Sequence, residues 1–286
     1  MSTVTRLLQS AAVALLFNGV PLLASGQEAG ERTTGAGSAA RAPVPPTAQA
    51  ARRVGVALGG GSARGIAHVG VIRWFEEHRI PIDLLAGTSM GGLIGGTFAI
   101  GMDSHEIEAL LAGIDWDNMF GASTFEFQNV RRKRDRRAYP AGIEFGLKGG
   151  FRSAPSLNNG QQVDLLLARV SAPYYGISTF DELPTPLRVV AVDLVTAQPV
   201  VIGTGSLARA MRATMSLPAV FPPVEVDGRV LVDGGVLNNI PTDVVRDMGA
   251  DRVIAVNVGD LDDPEDIDYS ILGLLGETLD VMMRSN

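Results

Sequence analysis

The sequence predicts an α/β layered domain built on a largely parallel central sheet. From Arg52 onward, short apolar runs of strand length alternate with runs whose apolar residues recur at helical spacing. The first two strand candidates, Val54–Leu58 and Ile82–Ala86, each pass through a glycine-containing turn into a helical segment. The chain has 286 residues, 46% of them hydrophobic and 19% charged, which supplies a sizeable core and excludes a disordered chain.

In chain order, Ala11–Phe17 and Val20–Leu23 form an apolar segment with Arg6 before it and the small residues Ala24, Ser25 and Gly26 after it. This pattern reads as an export signal over residues 1–26. Residues 27–51, with Pro43, Pro45 and Pro46, read as an Ala/Gly/Pro-rich linker. Strand Val54–Leu58 ends in three glycines, and Ile66, Val69, Ile72, Trp74 and Phe75 follow at helical spacing over Ile66–His78. Pro81 ends that helix before strand Ile82–Ala86. Further strands are expected at Leu187–Val192, Val200–Ile202 and Arg252–Val258, and helices at Gln161–Val170, Leu207–Met215, Thr242–Met248 and Ile271–Met283. Val224–Val226 and Val230–Val232 flank Asp227-Gly228, a strong hairpin signal. Residues 84–102 carry no charge and could be taken for a membrane span. Their six glycines and leading strand fit a strand, a sharp turn and a tightly packed buried helix better.

Composition removes several chemistries. Zero Cys excludes disulfides, thiolate metal sites and a Cys nucleophile, while leaving the redox compartment open. A net charge of −7 argues against a general nucleic-acid binder, and three His are few for a His-built metal site. Neither metal nor cofactor is expected.

Gly87-Thr88-Ser89-Met90-Gly91 fits the G-x-S-x-G nucleophile elbow. A Ser at the apex of a strand-to-helix turn needs neighbours two residues away that are nearly free of side chain, and Gly87 and Gly91 provide them. Gly59-Gly60-Gly61-Ser62-Ala63-Arg64-Gly65 lies between the first strand and the first helix. As a dinucleotide fingerprint it fails, because Ser62 and Arg64 occupy required Gly positions and Asp83 lies near the start of the second strand, not its end. The alternatives are an oxyanion hole of backbone N–H groups facing Ser89, each typically worth about 3–4 kcal/mol in the transition state, or a turn that only permits close packing.

A histidine base for Ser89 is poorly supplied. Only His105 lies downstream, at the polar start of a helix, and His68 sits where a packed or capping imidazole is expected. A carboxylate must then do the work, or Ser89 is idle. Asp233-Gly234-Gly235, after strand Arg229–Val232, presents a candidate on a sharp turn.

Taken together, the glycine loop Gly59–Gly65, the elbow Gly87–Gly91 and Asp233–Gly235 resemble the patatin-like phospholipases, over about Val54 to Asn257. His68 and Gly70, the stretch from Ala210 to Pro223, and Asn238-Asn239-Ile240-Pro241 add to the likeness. The resemblance implies a three-layer patatin-like domain with helices on both faces of the sheet, spanning 52–286. It implies Ser89 as nucleophile and Asp233 as proton acceptor. The loop Gly59, Gly60, Gly61, Ser62, Arg64 and Gly65 would surround the oxyanion, with Gly87, Gly91, Gly234 and Gly235 supporting the turns. The implied reaction is hydrolysis of carboxylic esters in phospholipids or lysophospholipids through an acyl-enzyme. A catalytically silent binding or scaffold module is the rival reading. Related domains commonly continue past the position of Asn286, so a C-terminally incomplete domain stays open.

Two charged runs remain. Asp260, Asp262, Asp263, Glu265, Asp266 and Asp268 lack the glycine and spacing of an EF-hand loop and read as a solvated segment. Arg131–Arg137 carries six basic residues and one acid, which suits either peripheral contact with anionic lipid or a solvated loop balancing the acidic remainder.

Overall fold

The computed structural model describes residues 52–116, 145–146, 152–153 and 158–259, together with the helical residues Thr278, Val281 and Met282. The expected export signal, the linker, the basic run Arg131–Arg137, the acidic run from Asp260 to Asp268 and all but those three residues of helix Ile271–Met283 lie outside them.

Alternation along short strands sets the layers. In β1 (Val54–Leu58) Val56 and Leu58 join the larger core while Ala57 joins a smaller one on the opposite face. A 3-10 turn over Ser62–Ala67 leads into α1 (His68–Glu77), and β2 (Leu84–Thr88) follows. The second strand therefore starts two residues later than the expected Ile82. The reason is pairing: β2 runs parallel to β1 from Gly55 opposite Leu84 to Leu58 opposite Gly87, while the Asp83 carboxylate accepts from the Val54 N–H. The first helix starts at His68, not Ile66, because the chain leaving the glycine loop turns with Ser62 at φ 48° and winds tightly before the α-helix begins.

α2 (Met90–Ala99) is buried almost all round, so it shows no amphipathic stripe. At ten residues it is about 15 Å long, half of what a bilayer core requires. Among the described residues no helix is long and apolar enough to cross a membrane. Residues 84–102 are thus strand, elbow and packed helix. α3 (Ser104–Ala112) opens on a capping box between Asp103 and Glu106. A two-residue ladder, β3 (Phe145–Gly146) with β4 (Arg152–Ser153), stands apart from the main sheet. Then come α4 (Gln161–Ser171), β5 (Leu187–Asp193), β6 (Gln198–Ile202), α5 (Leu207–Thr214), the hairpin β7 (Val224–Val226) and β8 (Arg229–Asp233), α6 (Thr242–Asp247) and β9 (Arg252–Val256).

The strand order is β7-β8-β5-β2-β1-β9, with β6 also on β5. β5, β2, β1 and β9 are mutually parallel, which bears out the expected parallel sheet at its centre, and β6, β7 and β8 extend it with antiparallel pairings. The larger core contains residues of α1, α2, α4 and α5, and the smaller one packs Val244 and Val245 of α6 on Ala57, Ala86 and Val190. Helices therefore cover both faces.

The glycines of α2 allow it to lie directly on the sheet. A Cβ on Gly91 would sit 2.2 Å from the Leu58 carbonyl oxygen, a backbone atom that cannot move aside. Gly70 on α1 has nothing within 4 Å of the equivalent position. In urea denaturation, Gly91→Ala is expected to lose about 1–3 kcal/mol, the usual range for overpacking, while Gly70→Ala gains about 0.5–1 kcal/mol from helix propensity.

Candidate active site

β5 brings the site together. Its edge opposite β6 is shared by two strands that meet end to end: Leu187–Val190 pairs with β2, and Ala191–Asp193 pairs with β8. Thr88, the last residue of β2, lies opposite Val190, and Asp233, the last residue of β8, lies opposite Ala191. Ser89 follows Thr88 directly. Two neighbouring residues of one strand thus set the nucleophile candidate and the carboxylate candidate side by side.

Ser89 is half-buried and has φ 54° and ψ −124°, a backbone conformation that non-glycine residues adopt only at a cost of about 1–3 kcal/mol. The steric demand read from G-x-S-x-G is met: a Cβ on Gly87 would meet the Gly91 carbonyl oxygen at 2.4 Å. The Ser89 N–H donates to Thr214 Oγ1 at 2.8 Å, and the Ser89 carbonyl accepts from Leu93 to open α2.

Asp233 is fully buried. Its N–H donates to the Ser216 carbonyl at 3.1 Å, and its Oδ1 accepts from the Gly235 N–H at 2.8 Å. Gly234 crosses so close to β5 that a Cβ would sit 2.3 Å from the Val190 carbonyl oxygen. Burial pushes the Asp233 carboxyl up to about 6, against the pull of the Ser89 hydroxyl and the Gly235 N–H, both of which favour the charged form. The hydroxyl is near enough to stabilise the carboxylate, yet Oδ2 has no partner within hydrogen-bond geometry. Such contacts are often loose before substrate binds.

The glycine loop closes over the elbow. A Cβ on Gly60 would meet Ser89 Cβ at 3.1 Å and Asn239 Oδ1 at 2.6 Å, and one on Gly65 would meet Met90 Cβ at 2.4 Å. Some of its N–H groups are engaged inside the protein. Gly59 donates to the Val256 carbonyl at 3.0 Å, and Gly60 is shared between the Asn239 carbonyl and Oδ1 at 3.2 and 3.1 Å. Arg64, half-buried, donates its N–H to the Gly61 carbonyl. Among the described residues no group accepts from the N–H of Gly61 or Ser62.

His68 is buried as expected of a packed imidazole, and burial lowers its pKa to about 4, so the ring is neutral. A carbonyl only accepts, so Nε2 carries the proton and donates to the Gly59 carbonyl at 2.7 Å. His78 is exposed, stacked on Trp74 and bonded to its carbonyl, and His105 is exposed on α3. None of the three hydrogen-bonds to Ser89 or Asp233. Sequence reasoning assigned no role to Thr214 or Asn239. A hydroxyl and an amide become legible as site parts only when their partners, far away in the chain, are known. The signal available was the family likeness of Ala210–Pro223 and Asn238–Pro241, which gives neither residue a role. A cavity of about 310 Å³ lined by Phe75, Ile80, Pro81, Ile82 and Phe98 contains neither Ser89 nor Asp233. Among the described residues no cluster of three or more His, Asp or Glu could hold a metal ion.

Fold and site define a class first: an α/β protein whose strained serine elbow interacts with a buried carboxylate beneath a glycine loop. The patatin-like phospholipase family model matches residues 56–246, and the chain belongs to that family. It is 34% identical over 218 residues to patatin-like phospholipase domain-containing protein ZK370.4 of Caenorhabditis elegans, covering 76% of this chain and 14% of that protein. It is 32% identical over 215 residues to lysophospholipase nte1 of Aspergillus fumigatus, covering 74% and 12%. With patatin-like phospholipase domain-containing protein 6 of Homo sapiens the figures are 31% over 214 residues, 74% and 14%. The chain thus spans about one-seventh of the length of these relatives. Among solved structures, VipD from Legionella pneumophila aligns with a TM-score of 0.42 and 16% identity over 66% of this chain and 47% of its own.

The buried carboxyl has a thermodynamic signature. Its native pKa of about 6 lies above its ordinary 3.8, so the native state holds the proton more tightly than the unfolded chain does. Stability from this group is present below pH 4 and is lost as pH rises through 6. The two-unit displacement corresponds to roughly 3 kcal/mol. Asp233→Asn, which keeps an acceptor for Gly235, is expected to raise the thermal midpoint at pH 8. The difference should vanish near pH 4.

Proposed function

We propose that this domain is a lipid acyl hydrolase that cleaves carboxylic ester bonds of phospholipids or lysophospholipids. One observation carries the reading: the β5 register sets Ser89, on its strained elbow, beside a buried Asp233 whose pKa is raised toward neutrality. Family membership and the lysophospholipase among its relatives support the substrate class.

In this mechanism Ser89 Oγ attacks the acyl carbonyl while Asp233 takes its proton. The negative oxygen of the tetrahedral intermediate is received by the N–H groups of Gly61 and Ser62. Gly59 and Gly60 serve as structural parts of the loop because their N–H groups are engaged elsewhere. The leaving alcohol departs with the proton from Asp233, giving an acyl-Ser89 ester. Water, deprotonated by Asp233, then attacks the ester; collapse releases the fatty acid and returns the proton to Ser89 Oγ. A carboxylate suits both roles because burial raises its basicity without protonating it at neutral pH. Export through residues 1–26 to the periplasm or beyond, and peripheral lipid contact through Arg131–Arg137, belong to the same proposal.

Hydrolysis of a p-nitrophenyl ester and of a lysophospholipid by the parent, Ser89→Ala and Asp233→Asn tests it. Both variants should lose at least about a thousandfold in kcat/KM, in line with removal of a nucleophile or its base. Equal rates in all three would sink the mechanism, and a parent that binds lipid without turnover would make the domain a binding module. Because the charged carboxyl is the active form, kcat/KM should rise with pH, reach half its plateau near 6 and stay flat above neutrality.

A further inference from the structure

We propose that Thr214 is the positioning residue of Ser89, holding the elbow against the strand that registers Asp233. The inference rests on the reading of Ser89 as nucleophile. Thr214 is the last residue of α5, and it is fully buried. Its hydroxyl donates to the Val190 carbonyl and accepts the Ser89 N–H. The direction of both bonds is fixed, because a carbonyl can only accept and an N–H can only donate. No other side chain on the described residues is bonded to the Ser89 backbone.

The place of this hydroxyl matters more than its strength. Val190 is the residue opposite Thr88, and its neighbour Ala191 is opposite Asp233. Thr214 therefore ties the amide of the elbow to the point on β5 where the strands bearing the nucleophile and the carboxylate meet. The elbow's other side-chain tie to a distant segment leaves from the preceding residue, where Thr88 Oγ1 donates to the Asn238 carbonyl at 3.0 Å. Two residues further on, the Ser216 carbonyl accepts the Asp233 N–H. Ser216 Oγ in turn donates to the Arg212 carbonyl and accepts from the buried Arg212 guanidinium at 2.8 Å. One short segment, 212–216, thus braces both Ser89 and Asp233. Since Thr214 occupies the Ser89 N–H, that group is not a donor to an oxyanion. The hydroxyl acts through the placement of Ser89 and touches no reacting atom.

The test compares the parent with Thr214→Val, Thr214→Ser and Ser89→Ala. Labelling by a fluorophosphonate reads the reactivity of Ser89 directly, and p-nitrophenyl ester hydrolysis separates kcat from KM. Thr214→Val keeps the shape and removes the hydroxyl. It should label roughly 10–100-fold more slowly, with kcat falling in proportion and KM within about twofold, the behaviour of a misplaced nucleophile. Thr214→Ser restores the hydroxyl and should stay within about threefold of the parent. If Thr214→Val does not fold, Thr214→Ala, which introduces no clash, carries the same comparison. A Val or Ala variant labelling at the parent rate would overturn the proposal, as would a Ser variant as impaired as Val. Labelling of Ser89→Ala at the parent rate would instead overturn the assignment of the nucleophile itself.

Discussion

Everything in the site depends on one strand edge being shared. β5 is seven residues long, and neither β2 nor β8 occupies its whole length on that side. The parallel strand stops at Thr88 because the chain turns away into α2. The antiparallel strand stops at Asp233 because two glycines turn it away in turn. Both turns are forced by close approach: Gly91 lies against the Leu58 carbonyl, and Gly234 lies against the Val190 carbonyl. The juxtaposition is therefore a property of backbone pairing, and the side chains inherit it. Sites held by sheet register are stiffer than sites held by loops alone, which suits chemistry that tolerates little displacement.

Two local penalties are concentrated there. Ser89 adopts a left-handed backbone without being glycine, and Asp233 carries a carboxyl into a dry interior. Elsewhere the domain offsets them with dense packing, from Leu58, Leu85 and Ile94 in the larger core to Val190 and Val245 in the smaller. The neutral His68 adds a further constraint by holding the Gly59 carbonyl, so the glycine loop is fixed through acceptors as well as donors. Spending stability at a site and recovering it in the scaffold is the ordinary signature of preorganisation.

Much of this was readable from residue order. β1 and β7 have the expected ends, the Asp227-Gly228 hairpin forms as read, and the elbow follows from its flanking glycines. β2 begins at Leu84 and not at Ile82 because apolar character alone does not say which residue of a run meets its neighbour; pairing with β1 decides that. The double role of β5 was invisible, since nothing local in Leu187–Asp193 distinguishes a strand with one partner per edge from a strand with two. The engaged N–H groups of Gly59 and Gly60 were hidden for the same reason: their acceptors are Val256 and Asn239, close to two hundred residues further along the chain. Local preferences fix elements, whereas tertiary partners choose among the polar groups those elements display.

The seam between β5 and β8 is only three residue pairs long, Ala191 to Asp193 against Asp233 to Leu231. The hairpin that carries Asp233 is itself a local unit, closed by its own tight turn. Parting from β5 would also break the Asp233 N–H bond to the Ser216 carbonyl and the Arg209 bond to the Glu225 carbonyl, while the four parallel strands keep their pairing. An opening of that kind would cost far less than global unfolding and would leave most spectroscopic signals unchanged. It would also separate Asp233 from Ser89. The domain thus contains a natural disconnect: loss of a short stretch of pairing would separate the proposed nucleophile from its proposed base before the parallel sheet is lost.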